Sequence, residues 1–182
     1  MNIKTYIGEA YAKEPGSNLY TLKNIVEAHS LVRQFIDLLA RQVSQVAKIA
    51  VDISGVDRSY TPYATTFGLN AMSGITILGL VVGTGTDAVT MSDYKLQSQL
   101  TTNLAHAQVA FSGPTLSGST VYIDIIRTFT NNTGAGITIR EVGLYANGYG
   151  VAYNHMIDRT LYELAIGNTE AKTLAYRIAI TA

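Results

Sequence analysis

From Val121 to Ile125 the chain reads Val-Tyr-Ile-Asp-Ile, an alternation with the period of two that a half-buried strand requires. Asn131 to Gly136 then supplies residues that tolerate positive φ, so the chain can reverse. Ile137 and Ile139 restart the alternation, but beyond Glu141 the apolar residues are Val142 and Leu144, so the parity has flipped. A β-bulge near Arg140–Glu141 accounts for the flip, because one extra residue swaps the faces of everything downstream. The pattern therefore predicts a hairpin over Arg127 to Asn147, with Glu141 an acid held close to a core. Such a group needs a cationic or backbone-amide partner, and Arg127 and Arg177 are the candidates.

Other strands are expected at Thr5 to Tyr11, Ile75 to Val82, His106 to Ser112, Ser119 to Thr130, Val151 to Ile157, Leu161 to Ile166 and Thr173 to Thr181. Asp93 to Leu100 reads as a short helix capped by Ser92. A longer helix is predicted from Asn24 to Val51, opened by the capping-box pair Asn24 and Glu27 and uninterrupted by Gly or Pro. Ile25, Ala28, Val32, Phe35, Leu39, Gln42, Val46 and Ile49 fall on alternating steps of three and four, a heptad seam with Gln42 its one polar position. Leu31, Ile36, Leu38 and Val43 widen the stripe, which suits a helix packed on a sheet or a trimeric bundle.

The expected fold is mainly β: an antiparallel β-sandwich over residues 53–182, with an N-terminal α-helical arm over residues 1–52. Composition adds one constraint to that picture. Only 14% of the residues are charged, and 13 Lys and Arg balance 13 Asp and Glu. The charge fraction is well below the ~25% usual for soluble domains, so little opposes association. Neutrality argues against a nucleic-acid surface. No apolar run is long enough to cross a membrane, and Met1 to Thr5 lacks the features of a secretory signal. The absence of cysteine removes disulfides, thiol catalysis and thiolate metal sites.

Candidate chemistry is sparse. Gly83-Thr84-Gly85-Thr86 ends a strand, but no Lys or third glycine follows to make a phosphate loop. His29, His106 and His155 lie far apart without metal-ligand spacing. Asp124 and Glu141 could face each other across the hairpin, as a glycosidase would need. A single buried acid paired with Arg explains Glu141 with fewer assumptions. No catalytic, cofactor or metal residues are assigned. Twelve tyrosines, among them Tyr60, Tyr63, Tyr145, Tyr149 and Tyr153 near loops and strand ends, suit either rim packing or an interface.

Arg140-Glu141-Val142-Gly143-Leu144-Tyr145, preceded by Val82-Gly83-Thr84-Gly85-Thr86, resembles a pattern of tailed-bacteriophage virion proteins. The pattern is that of the amino-terminal attachment domains of tail-collar and tail-fibre proteins, and it extends over about Ile75 to Ala182. The resemblance implies a structural protein of the virion, assembled in the host cytoplasm. It would associate with itself, as a homotrimer, and dock onto the tail, baseplate or fibre apparatus. Glu141, Gly143, Leu144 and Tyr145, with the stripe Ile25, Val32, Phe35, Leu39 and Val46, are the expected structural and interface residues. The family's long shaft is missing here, which favours a second reading as a capsid decoration protein. A third reading is a particle protein that binds or degrades host glycans.

Overall fold

A computed structural model of the chain describes residues 2–12, 20–28, 31–44, 48–60, 67–149 and 153–181. Eleven strands and one helix lie in these segments. The strands are β1 (Asn2–Ala12), β2 (Tyr20–Ala28), β3 (Lys48–Val51), β4 (Asp57–Tyr60), β5 (Gly79–Gly83) and β6 (Leu104–His106). They continue as β7 (Ala110–Ser117), β8 (Thr120–Asn131), β9 (Ile137–Tyr149), β10 (Tyr153–Ile166) and β11 (Ala171–Thr181). The helix, α1, spans Arg33–Ser44.

The strands form three antiparallel sheets. A six-stranded sheet runs β2-β1-β11-β8-β6, with β7 also on β8; a three-stranded sheet runs β10-β9-β5; and β3 pairs with β4. One hydrophobic cluster draws on both larger sheets. The six-stranded sheet contributes Ile7, Ile125, Phe129 and Tyr176; the three-stranded sheet contributes Leu80, Val82, Val142, Leu144 and Leu164. Each such side chain, fully buried, stabilises the fold by about 1.5–3 kcal/mol. The face that carries Ile125 and Tyr176 into this core continues past it into Ile123, Val121, Ile180 and Leu116, which are all exposed. Leu116 is the most exposed of them, at 73%.

Arg127 to Asn147 does not form a hairpin. β8 pairs with β11, β6 and β7, whereas β9 pairs with β10 and β5, so residues 132–136 carry the chain from one sheet to the other. Buried Asn131 fixes the crossing: its amide group donates to the carbonyls of Ala135, Ile166 and Gly167, and its side-chain oxygen accepts from Thr133. Alternation is the same for a strand whether its neighbour in sequence lies beside it or across a core, so the pattern could not tell the two apart.

The predicted helix from Asn24 to Val51 is replaced by strand, helix and strand. Asn24 to Ala28 belong to β2, paired with β1 as Thr5–Ala28, Tyr6–Glu27 and Ile7–Val26. The supposed capping residues serve that pairing: Asn24 donates to Glu9, and Glu27 forms an ion pair with Lys4. β-branched Ile25 and Val26 suit a strand, and ladder bonds to β1 outweigh the helical spacing. Among the described residues the helical arm is thus not present: β1 and β2 are part of the large sheet, and β1 lies directly against β11.

The expected stripe is accordingly dispersed. Ile25 is 54% exposed on β2, while Val32 is buried just before α1. Phe35 is half-buried, edge-on to Phe67 at 5.8 Å. Leu39 is 41% exposed, and Leu38 is the α1 residue that enters the core. Val46 lies outside the described residues. Asp93 to Leu100 is not helical, and Ile75 to Leu78 precede the strand rather than belonging to it.

Candidate functional site

The resemblance-bearing residues meet at one place, where β9 carries Glu141, Gly143 and Tyr145 beneath the loop that joins β5 to β6. Glu141 is fully buried, as expected of an acid near a core. Its Oε1 accepts from the amides of Gly85 (3.1 Å) and Ser98 (2.7 Å). Its Oε2 accepts from the Gln97 amide (3.0 Å) and from Arg159 Nε (2.8 Å). The cationic partner is therefore Arg159 on β10, and neither Arg127 nor Arg177. Tyr145, buried rather than at a rim, accepts at its hydroxyl from the Leu96 amide at 2.7 Å, and burial pushes its pKa up. Leu144 points the other way, into the main core.

The glycines of both motifs follow from how closely the loop approaches. A Cβ at Gly83 or Gly85 would lie 2.5 or 2.6 Å from Glu141 Oε1, closer than any side chain allows. At Gly143 it would lie 2.9 Å from Leu96 Cδ2. Leu96, Tyr145 and Val81 belong to a second small apolar cluster under the loop. The parity change lies where the sequence placed it, but the extra residue is on the neighbouring strand. Leu161 pairs with Glu141 and Leu164 with Ile139, so two residues of β10 oppose Arg140 alone.

Arg159 extends the network. Its Nη1 donates to Asp93 Oδ2 at 2.9 Å and its Nη2 to the Asp87 carbonyl at 3.1 Å. Burial works against the Arg159 charge, yet Glu141 and Asp93 outweigh it and hold its pKa above the ordinary value. Burial likewise works against ionised Asp93, and bonds from Thr90 and Arg159 outweigh it, so that pKa is lowered. Gln97 Oε1 accepts from the amides of Thr86 and Asp87, and its Nε2 bonds Asp87. One carboxylate and one guanidinium thus clip a long loop to the sheet. With four donors on its two oxygens, Glu141 is a tether, and it has no lone pair directed at open space.

Two further buried charges work differently. Arg127 donates to the carbonyls of Ala107, Leu78 and Leu80 at 2.7, 3.1 and 2.9 Å and also bonds Met72 and Ile75. Burial without a carboxylate lowers its pKa to about 10. Beside it His106, edge-on to Phe129, has its pKa lowered to about 4 by burial and by the Arg127 charge. Asp124 is paired with Arg177 at 2.7 and 2.9 Å, on the large sheet. Asp124 and Glu141 thus sit in different sheets with different cations, and the hairpin does not bring them together.

Among the described residues no group of three His, Cys, Asp or Glu could hold a metal ion, and no helix is long and apolar enough to cross a membrane. His155 bonds the Val51 carbonyl through Nδ1 at 2.7 Å; His29, Tyr63 and the side chains of Tyr60 and Tyr149 lie outside the described part. Pairing and burial of Glu141 were legible in the sequence; its partner Arg159 carried no signal, because it is eighteen residues away on a different strand. No protein-family model, curated protein or solved structure matches the chain.

Proposed function

We propose that this chain is a structural protein of a tailed-phage virion, its two larger sheets packed as a β-sandwich. Its work is mechanical: it associates with itself and docks onto the tail, baseplate or fibre apparatus, with no catalytic step. Two things support the reading. The residues that resemble the attachment domains of tail-collar and tail-fibre proteins act as one unit, the Glu141–Arg159 clip and its glycines. The observation that carries self-association is the apolar end of the six-stranded sheet, where Leu116, Val121, Ile123 and Ile180 stand exposed on a core-type face. Contiguous exposed apolar surface on a protein with few charges marks an interaction site.

The helical seam no longer argues for three copies, since Ile25 lies on a strand and Leu39 faces solvent. Trimeric symmetry now rests on the resemblance alone. Sedimentation equilibrium over a wide concentration range tests the association, and Leu116→Asp with Val121→Asp tests the surface. An oligomer that these substitutions dissociate supports the proposal; a wild-type chain that stays at 19.6 kDa overturns self-association of the free protein. Gold labelling on intact particles then separates tail from head, and label on the head favours capsid decoration.

A further inference from the structure

The three-stranded sheet has fewer strands than the six-stranded sheet, and Val26 on the edge strand β2 is left partly uncovered. Ile7 of β1 and Val26 of β2 are direct register partners, so both side chains project from the same face. Ile7 is fully buried, yet Val26 is 41% exposed. Next to Val26 runs the outer edge of β10, and between them lies a groove of about 340 Å³ lined also by Thr86, Arg140, Leu161 and Glu163.

Along its second half that edge is open among the described residues, with one register shift between Leu161 and Leu164. The first half of β10 is closed, since Asp158 bridges Leu31, and the carbonyls of Ile157 and Asn154 accept from Val32 and Ile53. From Thr160 to Ala165 β10 bonds only β9 among the described residues. Among the described residues the other edges of the two large sheets are interrupted, covered or short. β7 has Gly113-Pro114, and β2 has Asn24 at φ 51°. β5 is covered by Gln99 and Leu100, and β6 is three residues long. The stretch Thr-Leu-Tyr-Glu-Leu-Ala has no Pro, Gly or Lys and lies wholly within β10.

We infer that the outer edge of β10 at Thr160 to Ala165 accepts one extended segment donated by a neighbouring protein chain, which completes the smaller sheet by strand addition. The chemistry of the edge selects this occupant. A row of unpaired N–H and C=O groups is satisfied by another extended backbone about 4.8 Å away. Beyond β10 that backbone would lie over Val26, so it must carry apolar side chains on its inner face. Its outer face would adjoin Leu161 and Glu163. Pairing of β10 with itself centred on Glu163 would set two carboxylates opposite each other, which disfavours a second folded copy in that register. This inference does not depend on the phage reading.

The test is amide hydrogen exchange on the full chain, alone and with a millimolar synthetic nonapeptide alternating Thr and Val between terminal lysines. The peptide should slow exchange at residues 160–165 at least tenfold and leave β8 and β11 unchanged. The same peptide N-methylated along one edge should not protect. Leu161→Lys with Ala165→Lys, both at exposed positions, should abolish protection while leaving the thermal midpoint within a few degrees. Equal protection by the methylated peptide would mean apolar adhesion only and overturn the inference, as would no protection at all. Protection that grows with protein concentration without peptide would mean that copies pair here, and would overturn a donated segment.

Discussion

Arg159 Nε meets Glu141 Oε2 at 2.8 Å in a site where both side chains are almost wholly shielded from water. The pair joins two strands that are already hydrogen-bonded, so its consequence lies elsewhere, in the loop amides of Gly85, Gln97 and Ser98 that the two oxygens of Glu141 collect. Replacing Glu141 by Gln puts an NH2 group among donors and leaves the buried guanidinium with Asp93 in place of two carboxylates. The expected loss is about 3–5 kcal/mol, as for a buried pair broken on one side. Urea denaturation checks it, and in a double-mutant cycle with Arg159→Met the two losses should sum to more than that of the double variant.

Gly85→Ala should cost about 1–3 kcal/mol, because the new methyl must push Glu141 off the loop amides. Gly136→Ala is the control, since its nearest neighbour, the Ile166 carbonyl, is 3.9 Å away. Thermal midpoints of the two variants should separate clearly.

Asp158 and His106 make stability depend on pH in opposite senses. Burial raises the Asp158 pKa to about 6, with the Thr160 hydroxyl bonded to it and Tyr176 facing it. Its folded value exceeds the ordinary one, so the folded chain binds the proton more tightly, and this stability is lost as pH rises through about 6. His106 has a depressed folded value, so its contribution is present above its ordinary 6.5 and is lost as pH falls toward about 4. Between those limits the two offset each other. Asp158→Asn should stabilise the protein at pH 7.5 by up to roughly 3 kcal/mol and leave a profile that declines only toward acid. A thermal-midpoint series from pH 4 to 8 decides this.

Phe35 is half-buried, so Phe35→Ala should cost less than the about 3–5 kcal/mol of a fully enclosed ring. Leu39→Ser should change stability by no more than about 0.5 kcal/mol in the monomer. A large loss at Leu39, measured by denaturant midpoint at low concentration, would contradict its exposed position.

What the sequence disclosed was local. The strands of β8, β9 and β11, the irregularity at Arg140–Glu141 and the burial of Glu141 follow from alternation and its interruption. What it concealed was long-range. Nothing in Asn24 to Ala28 announces β1 as a neighbour, and the spacing of Ile25, Val32 and Leu39 is helical by count although Ile25 lies on β2 and Leu39 on α1. Asn131 gave a turn signal without saying which sheet the chain would enter. Arg159 sits in an ordinary strand pattern, and only the fold reveals that it faces Glu141.

The register of β1 against β11 has a mechanical consequence. Asn2 stands opposite Thr181, and the ladder runs from there to Glu9 and Leu174. The two ends of this ladder that lead out of the sheet are therefore side by side, with the strands antiparallel. Tension applied between residues 2 and 181 pulls across the rungs and opens them one at a time, like a zipper, where a shearing geometry would load them all together. Force passing through this protein is carried better through the broad faces of its sheets than through those two strand ends.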